Sequence, residues 1–172
     1  GAMAASDTAD QSVAIGKGAL GTGATTGNDN VAVGYNAMLA ATSGTDNIAV
    51  GSATLDANTT GIQNIAIGSA ALGATTTAQD NIAIGHNAMD GLAAATLASQ
   101  NVAIGTDALG GVLTANADDN VAVGYQAGLV STTGKSNVAI GSGAMAASDT
   151  ADQSVAVGKG ALGTGTTTGN DN

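Results

Sequence analysis

Asn64-Ile65-Ala66-Ile67-Gly68 sets two β-branched residues on either side of an alanine and closes on glycine. Alternation with a period of two marks a strand whose faces meet different surroundings, so Ile65 and Ile67 share one face and Ala66 points from the other. Gly68 permits a bend that a residue with a Cβ resists. Ala71-Leu72 then returns an apolar side chain to the interior on a loosely specified second strand. Leu20, Met38, Leu55, Met89, Leu109, Met145 and Leu162 hold the same place in other copies; Thr54 replaces the usual alanine, and Gly128 before Leu129 reads as a small slip.

The phrase (Asn/Ser)-(Val/Ile)-Ala-(Val/Ile)-Gly opens at Ser12, Asn30, Asn47, Asn64, Asn81, Asn101, Asn120, Asn137 and Ser154, at spacings of 17 to 20 residues. That period is too short for a helix pair and suits one β-coil per repeat. Residues 1–172 therefore read as one all-β, parallel solenoid domain of about nine coils of 17–20 residues. The branched residues Val13/Ile15, Val31/Val33, Ile65/Ile67, Ile82/Ile84 and Val121/Val123 are expected to stack as the core columns, with alanine on the reverse face allowing close approach. Residues 1–30 recur as 143–172 with two differences, Ile15 against Val157 and Ala24 against Thr166, which makes a super-repeat of 142 residues. Neither end carries the polar cap that solenoids need, so a segment of a longer fibrous protein is expected.

The chain has no Pro, Cys, Phe, Trp or Arg, and its aromatic residues are Tyr35 and Tyr125. Each coil offers about three large apolar groups, worth roughly 1.5–3 kcal/mol apiece on burial, against about 1–2 kcal/mol of backbone ordering for every residue. A single coil cannot stand alone. Stacked coils share ladders, and burial between chains adds to them, so an oligomer is expected. All thirteen acidic residues are Asp, and three lysines, Lys17, Lys135 and Lys159, oppose them for a net charge of −10. An anionic shell repels phosphate backbones and anionic membranes, which argues against nucleic acid as a partner, and no apolar run is long enough to insert in a bilayer.

Polar stretches such as Thr25-Thr26-Gly27-Asn28-Asp29 separate the coils and read as outer loops where length varies. The Asn that heads each phrase is expected at a coil corner, satisfying backbone groups as a side-chain ladder. Two coils have surplus residues, and Leu92, Leu97, Val112 and Leu113 within them form a candidate apolar contact ridge; Tyr35 and Tyr125 are further candidate contacts.

Gln11-Ser12-Val13-Ala14-Ile15-Gly16 and Ser154-Val155-Ala156-Val157-Gly158 resemble the YadA-like head repeats of trimeric autotransporter adhesins, and the Thr-Thr-Gly-x-x-Asn loops resemble repeats of phage and bacterial tail fibres. The resemblance covers essentially the whole chain, although its repeats are longer than those of the best-known heads. It implies a left-handed parallel β-roll, a homotrimer, and exposure outside the cell on a bacterial surface or on a virion fibre. Host surface proteins, matrix and glycans are the partners it suggests.

No constellation for catalysis stands out. His86, the single histidine, follows Gly85 at a position held elsewhere by Lys17, Tyr35, Ser52, Ser69, Thr106, Tyr125, Ser142 and Lys159, which reads as a solvent-facing column. Ile15-Gly16-Lys17-Gly18-Ala19-Leu20 also fits the hexapeptide pattern of left-handed β-helix acyltransferases, but a third hexad per coil is missing and His86 has no evident partner. Asp29, Asp46, Asp80, Asp119 and Asp171 precede phrase residues, yet Gln interrupts the column and the Gly-Gly-x-Gly-x-Asp calcium repeat is absent. Uneven coil length spoils the flat threonine grid of an ice-binding surface. No catalytic residue, metal or cofactor is expected, and the reading is a non-enzymatic structural or adhesive fibre segment.

Overall fold

A computed structural model describes residues 1–3, 11–21, 26–91, 98–111, 117–129, 133–147 and 151–163. The chain winds into a parallel β-solenoid, with no helix among the described residues. Among the described residues the strands are β1 (Val13–Ile15), β2 (Val31–Val33), β3 (Ile48–Val50), β4 (Ile65–Ile67), β5 (Ile82–Ile84), β6 (Val102–Ile104), β7 (Val121–Val123), β8 (Val138–Ile140) and β9 (Val155–Val157). They form one sheet in chain order, every neighbour parallel. The register pairs like with like, Ile65 with Ile82, Ala66 with Ala83 and Ile67 with Ile84. Repeats that differ in length keep this register, as Ile82 with Val102 and Val102 with Val121 show.

The interior departs from the expected core columns. Ala32, Ala49, Ala66, Ala83, Ala103, Ala122, Ala139 and Ala156 point inward and are buried, whereas the branched residues on either side of each alanine face away from the interior of their own chain. Val13, Ile15 and Ile67 are exposed, and Val31, Val33, Ile65, Ile82, Ile84, Val121 and Val123 are partly so. Space explains the inversion. Leu20, Met38, Leu55, Leu72, Met89, Leu109 and Met145 fill the narrow slot opposite the sheet and are fully or almost fully buried, so only a methyl group fits across from them.

The returning arm is built from turns where a second strand was expected. Ala71 donates its amide to Gly68 O and Gly73 to Ala70 O, closing two successive turns. Ala70 (φ 57°) and Leu72 (φ 51°) occupy the left-handed region that the third residue of a type II turn requires. The same conformation recurs at Asn36 and Met38, at Ala53 and Leu55, and at Asn87 and Met89. Hydrogen bonds to the next layer, Met38 N to Thr54 O, Leu55 N to Ala71 O and Leu72 N to Ala88 O, hold the arm in place and offset the strain. Thr54 takes the alanine position by donating its hydroxyl to Gly68 O at 2.6 Å.

Two further columns lock the layers. Gly34, Gly51, Gly68, Gly85 and Gly105 bend the chain after each strand at φ 132–143°, and a Cβ on any of them would lie 2.1–2.5 Å from the carbonyl oxygen of the next glycine. At the opposite corner the asparagines form the expected ladder. Asn64 donates its backbone and side-chain amides to Asn47 Oδ1, each at 3.0 Å, and its Nδ2 also donates to Ala78 O at 2.7 Å. The pattern runs from Asn30 through Asn137, and Ser12 and Ser154 stand at the corner positions on either side of that run.

Candidate interaction face

The sheet's outer surface is the feature with most capacity for function. One column holds Val13, Val31, Ile48, Ile65, Ile82, Val102, Val121, Val138 and Val155; the other holds Ile15, Val33, Val50, Ile67, Ile84, Ile104, Val123, Ile140 and Val157. Parallel in-register pairing makes these columns continuous, and the period-two alternation puts both on the same side. No polar or charged side chain interrupts them, although the chain carries a net charge of −10.

Exposure follows position in the stack. Ile48, Val50, Ile67 and Ile104 are 36–39% exposed because neighbours above and below cover their flanks, while Ile15 and Val157 on the outermost strands reach 60% and 67%. A monomer rarely leaves so long an apolar stripe in water. Covering a side chain exposed to about this degree returns roughly 0.6–1.2 kcal/mol, taking 1.5–3 kcal/mol for full burial.

The face has two different borders. On one side the Asn ladder is buried and closes the corner. On the other, beyond the glycine bend, lies the variable column Lys17, Tyr35, Ser52, Ser69, His86, Thr106, Tyr125, Ser142 and Lys159, whose members are all exposed. Tyr35 and Tyr125 project from it at 53% exposure. His86 is exposed in that column, and it partly offsets the rise that burial imposes on the Asp90 carboxyl. Leu92, Leu97, Val112 and Leu113, the proposed contact ridge, lie outside the described residues.

Away from the face, Asp56 and Asp90 sit in the column just after the inward Leu or Met, on either side of Gly73. Burial raises both carboxyls above their ordinary value of 3.8; for Asp56 its own backbone amide opposes the rise and Asp90 adds to it. Asp29, Asp46, Asp80 and Asp119, together with Gln63 and Gln100, precede the corner residue at φ 56–62°. A left-handed backbone accounts for short polar residues there without any ligand. Among the described residues no three His, Cys, Asp or Glu side chains gather to hold a metal ion, and no helix is long and apolar enough to cross a membrane.

Two features were not read from the sequence. The outward placement of Val and Ile was hidden because an alternating strand is symmetric between its faces until the slot opposite is known. The vacancy at Gly128 was legible. The inward Leu or Met always stands eight positions after the corner residue, as Leu72 after Asn64 and Met145 after Asn137, and Gly128 stands there after Asn120.

Comparison with known proteins finds no matching family model, no matching curated protein and no matching solved structure.

Proposed function

We propose that this chain is a non-enzymatic fibre segment that works as a homotrimer, a left-handed β-roll of about nine coils projecting from a bacterial surface in the manner of YadA-like adhesin heads. The observation that carries the reading is the uninterrupted Val/Ile face, uncharged and exposed or partly exposed along the whole sheet. Its occupant is two further copies of the same chain. Val or Ile recurs in every layer, so copies in axial register match apolar group to apolar group, and among the described residues no aspartate stands in the two columns. That the number is three rests on the resemblance of the repeats.

In this reading the rod is about 40 Å long, with strands spaced at about 4.8 Å, and attachment uses many weak copies of a surface motif, strengthened by avidity. Sedimentation at descending concentration tests the assembly. A species three times the 16.0 kDa chain, whose dissociation coincides with unfolding, is expected. A folded monomer persisting on dilution overturns it.

The Thr-Thr-Gly-x-x-Asn loops favour a second reading, a spacer in a phage or phage-like tail fibre. Thr42 and Thr59 donate their hydroxyls to Thr59 O and Thr76 O of the next layer, a use of threonine that serves the shaft. Multivalent particles coated with the segment separate the two: adhesion to glycan or matrix supports the adhesin, and none on any surface favours the spacer.

A further inference from the structure

We propose that the layer of β7 is a built-in joint of the rod, the internal place where the solenoid opens first. The inference stands on one chain and does not depend on the trimer. In every other layer from β1 to β8 a leucine or methionine fills the slot opposite the sheet, and Met3 begins the same column before β1. Gly128 contributes no side chain to the slot, and although Leu109 reaches toward the gap a cavity of about 10 Å³ remains, lined by Leu109, Ala122, Gly128, Ala139 and Met145 and bordered by Asn120 and Asn137.

The cavity is apolar in effect. Asn120 already donates its Nδ2 to Gly134 O at 2.9 Å and to Asn101 Oδ1 at 3.1 Å, and its Oδ1 accepts from the Asn137 backbone and side-chain amides. Asn137 donates its Nδ2 to Asn120 Oδ1 and Ala151 O, and its Oδ1 accepts from Ser154 N, so both bordering amides are engaged in the ladder, and the space is at the margin of one water. Its lining therefore lacks the dispersion contacts that the other layers make.

Backbone bonding does not distinguish this layer. Gly128 N donates to Ala144 O at 2.8 Å, matching Leu109 N to Ala127 O at 2.9 Å and Met145 N to Ala161 O at 2.8 Å. The deficit is in the side chain, with the added backbone freedom of glycine in the open state. In a solenoid each layer touches only its neighbours, so stability is a sum of local terms and the weakest interior term decides where it cracks. Opening there leaves β1–β6 and β8–β9 as separately ordered blocks, giving the shaft a point of compliance.

The backbone at Gly128 already has the conformation of its Leu and Met counterparts, and a side chain there needs only Leu109 to turn aside. Gly128 has φ 62°, close to Met145 at 51° and Leu109 at 47°. A Cβ built on Gly128 meets Leu109 Cδ2 at 2.8 Å, the movable end of a flexible side chain, with Ala122 Cβ at 3.6 Å and Leu109 Cγ at 3.7 Å as its next nearest neighbours.

Native-state hydrogen exchange on the full chain, read by mass spectrometry, tests the joint. Peptides covering 121–128 are expected to show protection at least about tenfold lower than those covering 138–145 and 65–72. Fraying from the end would give the opposite order, with 138–145 less protected than 121–128, and that result overturns the proposal, as does equal protection in all three. Gly128→Met is expected to bring 121–128 up to its neighbours and to raise Tm. If Gly128→Met misfolds, the wild-type ordering alone decides.

Discussion

Asn47 Oδ1 accepts two hydrogen bonds from Asn64, one from the backbone amide and one from the side-chain amide, both at 3.0 Å. Asn64 repeats the act, its Oδ1 accepting from the backbone and side-chain amides of Asn81 at 3.2 Å. The corner is thus a chain of amides in which each residue serves the layer on either side, and every member is buried. Such a network is costly to break because the remaining donors and acceptors stay buried without partners.

Asn64→Leu is therefore expected to cost about 3–5 kcal/mol, from several orphaned groups at about 1–3 kcal/mol each. Asn64→Ser should cost less. Ser12 shows why: its Oγ accepts from Asn30 N at 3.1 Å, which preserves the backbone half of the ladder. Urea unfolding of the two variants checks the order, and equal losses would show that the side-chain amide contributes little.

Glycine is required at some positions and incidental at others. Gly68 has φ 133°, and a Cβ there would sit 2.4 Å from Gly85 O, an atom of the backbone that cannot move without shifting the layer. Gly143 has φ 69° with open space around its missing Cβ, and its column holds Ala53 and Ala70 in other layers. Gly68→Ala is expected to lower stability by about 3 kcal/mol or more, combining strain and clash. Gly143→Ala should stay within about 1 kcal/mol. Thermal melts of both distinguish them.

The solenoid, its parallel register and the Asn ladder were legible because each is written as a fixed offset within a repeated phrase. Asn64, Ile65 and Gly68 announce the corner, the strand and the bend by their own chemistry. Leu72 does not announce its turn. A leucine in an apolar pair reads as strand, and its left-handed backbone is imposed by hydrogen bonds to the next layer, which no local propensity encodes. Likewise Ala66 and Ile67 alternate in the sequence without saying which one faces the interior. That choice was made by the thickness of the slot, a property of the arm opposite and of Met89 and Leu72 within it.

Acid should strengthen the fold locally around Gly73. Burial raises the carboxyls of Asp56 and Asp90, so the folded state binds protons more tightly than the unfolded one. The stabilisation is then fully present below the ordinary value of 3.8 and is lost as pH rises through the higher folded values. Both groups are partly in water, which screens the effect. Asp56→Asn and Asp90→Asn are expected to raise Tm at pH 7 and leave it unchanged at pH 3. A uniform shift at both values would assign the effect to packing.

Ala66 and Ile67 separate the two levels of the structure. Ala66 is fully buried in its own chain, and Ala66→Leu forces extra methylenes into a filled slot, so the chain itself should lose about 1–3 kcal/mol or more. Ile67 is 39% exposed in one chain, and Ser69 is exposed in the variable column beyond the bend. In an isolated chain Ile67→Asp and Ser69→Asp would cost similar small amounts. In the proposed trimer Ile67→Asp places three carboxylates in a dry interface and is expected to dissociate the assembly, whereas Ser69→Asp leaves it intact. Melting and sedimentation of the pair give the outcome: comparable losses mean that the Val/Ile face is not covered by copies of this chain.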